Sequence, residues 1–273
     1  MATVSRIRTR DHRVEITERE AVHVTEILDD EPNAKPAIVT LHGTSGTAHG
    51  TRRWRLRLGR HLARHGYRFY LFDSRGHGYS DGEFEDSTVS KYLQDAEAVL
   101  SWIRTLSHVD SSRLGLFGFS LGSAISVLLA HRHPDWVKTI IAYTLPCDMD
   151  RGYLWYLERF ARRSLDKIYS AASHKAWIAE FSEYFTKEFL DDLSNHDVKR
   201  AIQELTTPLL LIQPDDDDQV PSWVSDQAFA LKPDPKTRLD INGTHTMVTE
   251  DGWNFEQEEQ VTHACLEWFG NHL

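Results

Sequence analysis

Short apolar runs alternate with longer amphipathic stretches along most of this chain, and this alternation restricts the fold more than any other feature. Residues 37–41, 67–73 and 114–117 have the length and composition of buried strands. Residues 54–65 and 92–106 lie between them and carry apolar side chains at helical spacing. Strands separated by helices form a mostly parallel sheet covered on both faces, so the pattern predicts an α/β domain.

Other segments fit the same pattern. Pro134 ends one of the helical stretches, and an apparent hairpin opens the chain. The predicted elements are a hairpin over 14–16 and 22–28, strands over 139–144, 208–212 and 237–241, and helices over 121–133 and 258–269.

The alternation fails between residues 146 and 207. This segment is helical in character, contains no convincing strand and is dense in aromatic residues. We therefore predict a core of residues 1–145 and 208–273, with 146–207 inserted as a helical cap between two core strands. Most of its aromatic side chains are expected to pack cap against core, and a few to line a pocket. They are Tyr153, Trp155, Tyr156, Phe160, Tyr169, Trp177, Phe181, Tyr184, Phe185 and Phe189.

The charge balance bears on possible partners. The chain has 41 acidic and 31 basic residues, a formal net charge of −10, which argues against a nucleic-acid partner. Basic residues do cluster at the start of and along the predicted helix over 54–65, and we interpret them as a solvated face rather than an anion site. They are Arg52, Arg53, Arg55, Arg57, Arg60 and Arg64.

The chain offers little sign of disulfides, structural metal or a membrane. Its two cysteines, Cys147 and Cys265, are far apart and lack metal-type spacing. The first residues contain no apolar signal region, and no apolar run reaches the roughly 18 to 20 residues of a spanning helix. We therefore expect a cytoplasmic enzyme that needs no membrane partner.

Gly118-Phe-Ser120-Leu-Gly122 is the strongest local motif. It fits G-x-S-x-G, follows an apolar strand and opens an apolar helix, which is the context of a nucleophile elbow. Such a turn exposes the serine Oγ, while the N–H of Leu121 at the helix N-terminus points to where an oxyanion would form. The alternative is an ordinary serine in a strand-to-helix loop.

Serine needs an adjacent base, and the 15 histidines must be sorted by position. In a hydrolase of this topology the order along the chain is Ser, Asp, His, with the histidine after the last strand. His245 follows the last predicted strand through a tight loop that contains Gly243. We therefore predict His245 as the general base.

The orienting acid is expected after the strand over 208–212, where four carboxylates, Asp215 to Asp218, precede Pro221. Asp217 suits the usual loop, and Asp216 and Asp218 remain alternatives, as does Asp148 after an earlier strand. A calcium site is a rival reading of four consecutive carboxylates. It is disfavoured because adjacent side chains rarely converge on one ion.

Two further loops follow early strands. In Leu41-His-Gly-Thr44 the N–H of Thr44 is a candidate second oxyanion donor, and His42 is expected to be structural. In the glycine-rich loop 73–80, Arg75 and His77 are expected to bind neighbouring loops through hydrogen bonds.

These motifs, in this order, resemble the α/β-hydrolase superfamily over almost the whole chain. The resemblance implies a mostly parallel eight-stranded sheet flanked by helices, with the cap inserted after strand 6. More narrowly, residues 73–86, with Ser80-Asp-Gly-Glu-Phe-Glu-Asp86 at their end, resemble the feruloyl (cinnamoyl) esterase and serine-aminopeptidase-like branch. This implies carboxylic-ester hydrolysis under a small cap. Pro214 departs from the pattern, because a glycine usually begins the acid loop.

The expected function is that of a serine hydrolase acting on a small-molecule ester with a small, aromatic or apolar acyl group, without metal or cofactor. A thioesterase or acyltransferase would use the same triad. An aminopeptidase would need acidic side chains in the pocket, for which Glu158, Glu180 and Glu183 are candidates. A non-catalytic receptor on the same fold is a further alternative. Monomer and dimer both remain open.

Overall fold

An eight-stranded sheet forms the centre of the computed structural model, which describes residues 6–149, 151, 155, 175–178 and 183–273. Its strands are β1 (Ile7–Glu15), β2 (Ala21–Asp29), β3 (Lys35–Leu41), β4 (Arg68–Phe72), β5 (Val109–Phe119), β6 (Thr139–Tyr143), β9 (Leu209–Asp216) and β10 (Lys236–Thr244). Their order across the sheet is β1-β2-β4-β3-β5-β6-β9-β10.

The sheet is parallel from β4 to β10, and β2 runs antiparallel to both of its neighbours. The hairpin predicted at the start of the chain is confirmed, with Ile7 opposite Asp29 and Glu15 opposite Ala21. The other predicted core strands are also present, so the expected α/β-hydrolase fold with its mostly parallel sheet is confirmed.

Helices cover both faces of the sheet. Leu116 and Phe117, adjacent on β5, are both fully buried and belong to two different hydrophobic clusters. Burial on both faces explains why the strands read as continuous apolar runs rather than as alternating ones. The helices are α1 (Trp54–Arg64), α2 (Val89–Ile103), α3 (Leu121–Arg132), α4 (Lys187–Leu193), α5 (Val198–Glu204), α6 (Ser222–Leu231) and α7 (Phe255–His272).

The two helical layers follow from the positions of the apolar side chains. Residues of α1 and α7 pack in one cluster with Phe69, whereas α2 and α3 contribute to the other. Helix α2 begins where the Thr88 side chain accepts a hydrogen bond from the Lys91 N–H at 3.1 Å. Of the helices in the described parts of the chain, none combines the length and apolar character that crossing a bilayer requires.

The segment between β6 and β9 differs from its prediction in one respect. Strands β7 (Lys175–Ile178) and β8 (Glu183–Thr186) form an antiparallel hairpin where no strand was expected. Each strand has only four residues, too few for alternation to separate strand from helix in the sequence. A second short hairpin, β11 (Val248–Thr249) with β12 (Gly252–Trp253), follows β10.

Aromatic side chains at the end of this segment pack onto the core. Phe185 is buried, and its ring meets Phe84 edge-on at 5.2 Å and Phe189 at 5.2 Å. Trp155 packs partly buried against the same cluster. Most of the predicted cap, including Tyr153, Tyr156, Phe160, Tyr169 and Phe181, lies outside the described residues.

Candidate active site

Ser120 occupies the turn between β5 and α3. Its backbone has φ 54° and ψ −122°, a region that non-glycine residues rarely adopt. Its N–H donates to the carbonyl of Tyr143 at 2.9 Å, which ties the turn to β6. The turn lifts the Ser120 side chain out of the line of the strand, as in the nucleophile elbow that the motif predicts.

The two glycines of the motif allow this turn to pack tightly. A Cβ on Gly118 would lie 2.4 Å from the Cα of Ser123, in the first turn of α3. A Cβ on Gly122 would lie 2.2 Å from the carbonyl oxygen of Leu41, at the end of β3. Both contacts involve backbone atoms, so any larger residue would displace a strand or the helix.

His245 and Asp217 form a buried pair next to this turn. The Nδ1 of His245 donates to Oδ2 of Asp217 at 2.8 Å, and the side chains are 3% and 1% exposed. The other oxygen, Oδ1, accepts from the N–H groups of Gln219 and Val220 at 2.9 and 2.8 Å. With Nδ1 donating, Nε2 of His245 is left as a hydrogen-bond acceptor.

The neighbouring carboxylates have other partners. Asp215 accepts from the N–H of Gly243 at 2.9 Å, and Asp216 and Asp218 are exposed. Asp148 pairs with Lys199 and accepts from the N–H of Arg151 at 3.0 Å, so it does not take the place of the acid. The four consecutive carboxylates diverge, and in the described ranges no group of histidine, cysteine, aspartate or glutamate side chains is placed to hold a metal ion.

A buried glutamine holds the loop that carries His245. Gln257 donates from Nε2 to the Tyr143 hydroxyl at 2.6 Å and to the Thr244 carbonyl at 2.7 Å, and its Oε1 accepts from the Thr244 N–H at 3.1 Å. Burial raises the pKa of Tyr143 well above its ordinary value, so this hydroxyl stays neutral. Sequence reasoning missed Gln257, because nothing in the closing helix marks it.

The Phe119 side chain contacts both Tyr143 and the imidazole of His245. Its ring stacks on Tyr143 at 5.2 Å and meets the His245 ring at 5.1 Å. The imidazole is therefore fixed by packing on one side and by the carboxylate of Asp217 on the other.

The loop after β3 lies directly against the elbow, since a Cβ on Gly43 would be 3.0 Å from the Cβ of Ser120. His42 accepts from the N–H of Ser74 at Nε2, 3.0 Å away, so its Nδ1 carries the proton and donates to the Gly43 carbonyl at 2.8 Å. Burial lowers the pKa of His42 to about 4. These contacts agree with the structural role expected for His42.

Arg75 and His77 bind neighbouring elements, as expected. Arg75 pairs with the buried carboxylate of Asp95 at 2.7 Å and with Glu20 at 2.8 Å. His77 accepts a hydrogen bond from the hydroxyl of Tyr92, on α2, and burial lowers its pKa to about 3. The loop 73–80 is thereby fixed to α2.

A cavity of about 490 Å³ brings Ser120, His245 and Thr44 together. Asp217 lies behind His245, outside the lining, and the fully buried Leu121 lies beneath the elbow. The wall is mixed: the loop after β3 contributes several hydroxyl groups, and other segments contribute the apolar part of the wall. The described lining also includes Ser45, Thr47, Thr51, Thr246, Trp54, Phe119, Pro146, Val220, Pro221, Val224 and Asp218.

Arg55 also lines this cavity, which corrects its prediction as part of a solvated face. It is 2% exposed, whereas Arg52, Arg53, Arg57, Arg60 and Arg64 are exposed as expected. The error has a physical reason: Arg55 follows Trp54 on the inward side of α1, and the sequence does not reveal which arginine points inward.

The comparisons agree with this architecture. A family model described as the α/β hydrolase fold matches residues 36–164. An uncharacterized protein of Mycobacterium tuberculosis is 26% identical over 208 residues, which are 76% of this chain and 62% of that protein. The lysophosphatidylserine lipase ABHD12 of Danio rerio is 25% identical over 215 residues, 77% of this chain and 50% of the lipase. The chain thus spans about half to three fifths of these curated relatives.

Among solved structures, Est1E from Butyrivibrio proteoclasticus with bound ferulic acid has a TM-score of 0.77 to this chain. It is 20% identical, and the match covers 96% of this chain and 98% of Est1E. The sheet order, the strand-to-helix turn at Ser120 and these matches define a protein of the α/β-hydrolase fold class. The chain has the α/β-hydrolase fold.

Proposed function

We propose that this chain is a serine hydrolase that cleaves carboxylic esters through an acyl-enzyme intermediate. Ser120 is the nucleophile, His245 the general base and Asp217 its orienting acid. The observation that carries the proposal is the buried His245–Asp217 hydrogen bond of 2.8 Å beside a cavity that Ser120 and His245 both line. This is the arrangement that activates a serine hydroxyl at neutral pH.

In the first step, His245 takes the proton of the Ser120 hydroxyl at Nε2 as Oγ attacks the ester carbonyl. Asp217 holds the imidazole in the tautomer that leaves Nε2 free to accept, and it stabilises the imidazolium that forms. Its second oxygen already accepts from two backbone N–H groups, which hold the carboxylate in place throughout the reaction.

The oxyanion of the tetrahedral intermediate is bound by the N–H groups of Leu121 and Thr44. Leu121 is the first residue of α3, so its N–H has no acceptor within the helix and lies at the positive end of the helix dipole. Thr44 lines the cavity on the loop packed against Ser120. Donors fixed before the reaction stabilise developing charge at little reorganisation cost.

In the second step, the alcohol leaves with the proton from His245, and His245 then activates a water molecule that releases the acid. The two reaction steps use only these side chains and backbone groups, together with water. A relative that is a lipase and a structural neighbour with bound ferulic acid support esters as the substrate class.

The expected cap and the expected acyl specificity are part of this proposal. Residues 146–207 would cover the cavity as a cap, and Pro146 at the start of that range already lines it. The acyl group would then meet Phe119, Val220 and Val224 on the apolar wall. A peptidase reading gains no support from the described residues, because Glu158 and Glu180 lie outside them and the side chain of Glu183 is not described.

Hydrolysis of p-nitrophenyl esters of increasing acyl length, alongside methyl ferulate, tests the proposal with wild type and Ser120→Ala. We expect kcat to fall by about 10⁴-fold or more in Ser120→Ala, as for the loss of a triad nucleophile. Ser126→Ala is the matched control. Among the described residues the Ser126 hydroxyl donates to the Gly122 carbonyl within α3, at 2.7 Å, and Ser126 is not in the described lining of the cavity.

Equal activity of Ser120→Ala and wild type would contradict the assignment of the nucleophile. Activity on thioesters but not on oxygen esters, lost in Ser120→Ala, would keep the triad and replace the substrate class.

A further inference from the structure

The cavity wall contains a buried cation that the ester mechanism does not use. Arg55 is 2% exposed, and it is the one lysine or arginine in the described lining of the cavity. Its guanidinium carbon lies 5.2 Å from the ring centre of Phe119, the residue before Ser120, and 5.4 Å from that of Trp54. The positive charge is therefore close to the elbow.

Two nitrogens of this guanidinium have protein acceptors. Nε donates to the carbonyl of Ala48 at 2.9 Å, and Nη2 donates to the carbonyl of Thr47. For Nη1, the described part of the chain provides no acceptor at hydrogen-bond distance. Both bonded acceptors are neutral carbonyls, so the hydrogen bonds orient the group without cancelling its charge.

No acidic side chain in the described ranges forms an ion pair with Arg55. A partial compensation comes through space from the buried carboxylate of Asp73, whose Oδ1 accepts from the N–H of Ala48 at 2.6 Å. Asp73 favours the charged form of Arg55 through space, whereas burial lowers the arginine's pKa to about 10, which still leaves it protonated at neutral pH.

A buried cation without an ion pair is costly unless something supplies the opposite charge. Asp73 does not line the cavity, and the one carboxylate in the described lining, that of Asp218, is exposed. Two more exposed arginines, Arg52 and Arg53, stand beside Thr51 of the lining, in a chain whose net charge is −10. Arg55 therefore places a buried positive charge in the cavity wall of a molecule that is negative overall.

We propose that Arg55 binds an anionic group of the substrate, a carboxylate or a phosphate, and so selects charged esters over neutral ones. This inference rests on the proposed ester hydrolysis and narrows its substrate class. A planar guanidinium fixed by two backbone carbonyls is suited to bind an oxyanion in a defined orientation. The alternative is that Arg55 only holds the loop around Thr47 and Ala48.

The test compares two pairs of esters, and the two members of each pair differ in one anionic group. Mono-p-nitrophenyl adipate and its neutral methyl ester place a carboxylate in the acyl part. 1-Butanoylglycerol 3-phosphate and 1-butanoylglycerol place a phosphate in the alcohol part. The ratio of kcat/KM for the charged and the neutral member is measured in wild type, Arg55→Gln and Arg60→Gln, the last being an exposed arginine on the same helix that does not line the cavity.

We expect wild type and Arg60→Gln to prefer the charged member of at least one pair by about 10- to 100-fold, and Arg55→Gln to lose that preference. The pair that responds identifies the anion and its side of the ester. If Arg55 only holds the loop, Arg55→Gln would lower kcat/KM for the charged and the neutral ester equally. An unchanged ratio of the two kcat/KM values in Arg55→Gln would therefore overturn the proposal. So would the absence of any preference in wild type.

Arg55→Lys carries the same test if Arg55→Gln fails to fold, as judged by circular dichroism. Lysine keeps the charge but not the planar fork, so we expect a reduced preference, and an unchanged one would contradict the proposal. If wild type cleaves none of the four esters, calorimetric binding of adipate and glycerol 3-phosphate tests Arg55 alone. Hydrolysis of the p-nitrophenyl series and of methyl ferulate then decides the proposed function separately. Binding weakened about tenfold or more in the Arg55 variant supports the anion site, and equal or absent binding rejects it.

Discussion

The orientation of His245 depends on single residues outside the pair it forms with Asp217. One carboxylate oxygen of Asp217 bonds the imidazole, and the other is held by two backbone N–H groups. Gln257 fixes the preceding residue, Thr244, from both its N–H and its carbonyl. The imidazole therefore has little freedom to turn away from the cavity.

Replacing Asp217 by asparagine removes the charge and presents an amide that can stabilise the wrong imidazole tautomer. We expect kcat to fall by about 10⁴-fold while substrate binding changes little. Steady-state kinetics on a p-nitrophenyl ester measures this directly. Asp216→Asn is the control: the residue is adjacent and exposed, and we expect activity within a few-fold of wild type. The reverse ranking of the two variants would assign the acid to Asp216.

The sequence predicts the three residues of the proposed triad because chain order and turn glycines mark them. Ser120 lies in a motif, His245 follows β10, the last strand of the central sheet, and Asp217 follows β9, the strand before β10 in the chain. Arg55 and Gln257 carry no such mark. Each lies on an amphipathic helix, where the sequence does not distinguish a polar side chain that turns inward from one that remains in solvent.

At the scale of elements, β3, β5 and α3 meet where no side chain fits between them. Gly122 opens α3 against the carbonyl oxygen of Leu41 and that of His42. This contact sets the distance between the loop that carries Thr44 and the elbow that carries Ser120. Packing of these three elements therefore determines the geometry of the proposed oxyanion site.

Gly122→Ala places a methyl group 2.2 Å from the Leu41 carbonyl oxygen, so β3 or α3 must move. We expect a loss of about 1–3 kcal/mol in the free energy of unfolding, measured by urea titration. We also expect esterase activity to fall under conditions in which the variant is still folded, because the proposed oxyanion site is displaced. Gly270→Ala, on the exposed side of α7 with no contact closer than 4.0 Å, is the control and should be neutral or slightly stabilising. Equal stability of both variants would show that the close approach is not required.

Most elements could be predicted because their apolar periodicity extends over enough residues. The helix over 92–106 and the strand over 114–117 are found as α2 and β5, with ends shifted by a few residues. The hairpin of β7 and β8 could not be predicted from the sequence, since four-residue segments rich in aromatic residues are equally compatible with a helix. Tertiary contacts such as that of Phe185 with Phe84 select the strand.

For the whole molecule, burial of histidines couples stability to pH. His42 and His77 lie together beneath the loops, with ring centres 4.9 Å apart, and both are neutral in the folded protein. In the unfolded chain each would regain an ordinary pKa near 6.5. In mild acid the unfolded chain therefore binds protons at His42 and His77 that the folded protein does not bind.

The difference between the folded and the unfolded pKa determines how the free energy of unfolding changes with pH. Because the pKa of His77 falls from 6.5 to about 3 on folding, its contribution to stability is complete above pH 6.5 and is lost as the pH falls towards 3. We expect His77→Gln to reduce the pH slope of the free energy of unfolding in this range by up to about 1.4 kcal/mol per pH unit. Urea titrations in a pH series measure it.

The exposed His65, replaced by glutamine, serves as the control and should leave the slope unchanged. A slope that is the same in wild type and His77→Gln would mean that His77 does not take part in acid unfolding. A constant offset between the two proteins reports only the lost hydrogen bonds to Tyr92 and Arg75.

The hydrogen bond from His42 to the Gly43 carbonyl has a consequence for the start of the reaction. The same carbonyl also accepts from the N–H of Gly46 at 3.1 Å, so the peptide plane between Gly43 and Thr44 cannot flip without breaking two bonds. In a trans peptide the C=O and N–H point in opposite directions, and anchoring the first therefore aims the second. If Thr44 is an oxyanion donor, the empty enzyme already holds it ready, and an acylation burst should begin without a lag.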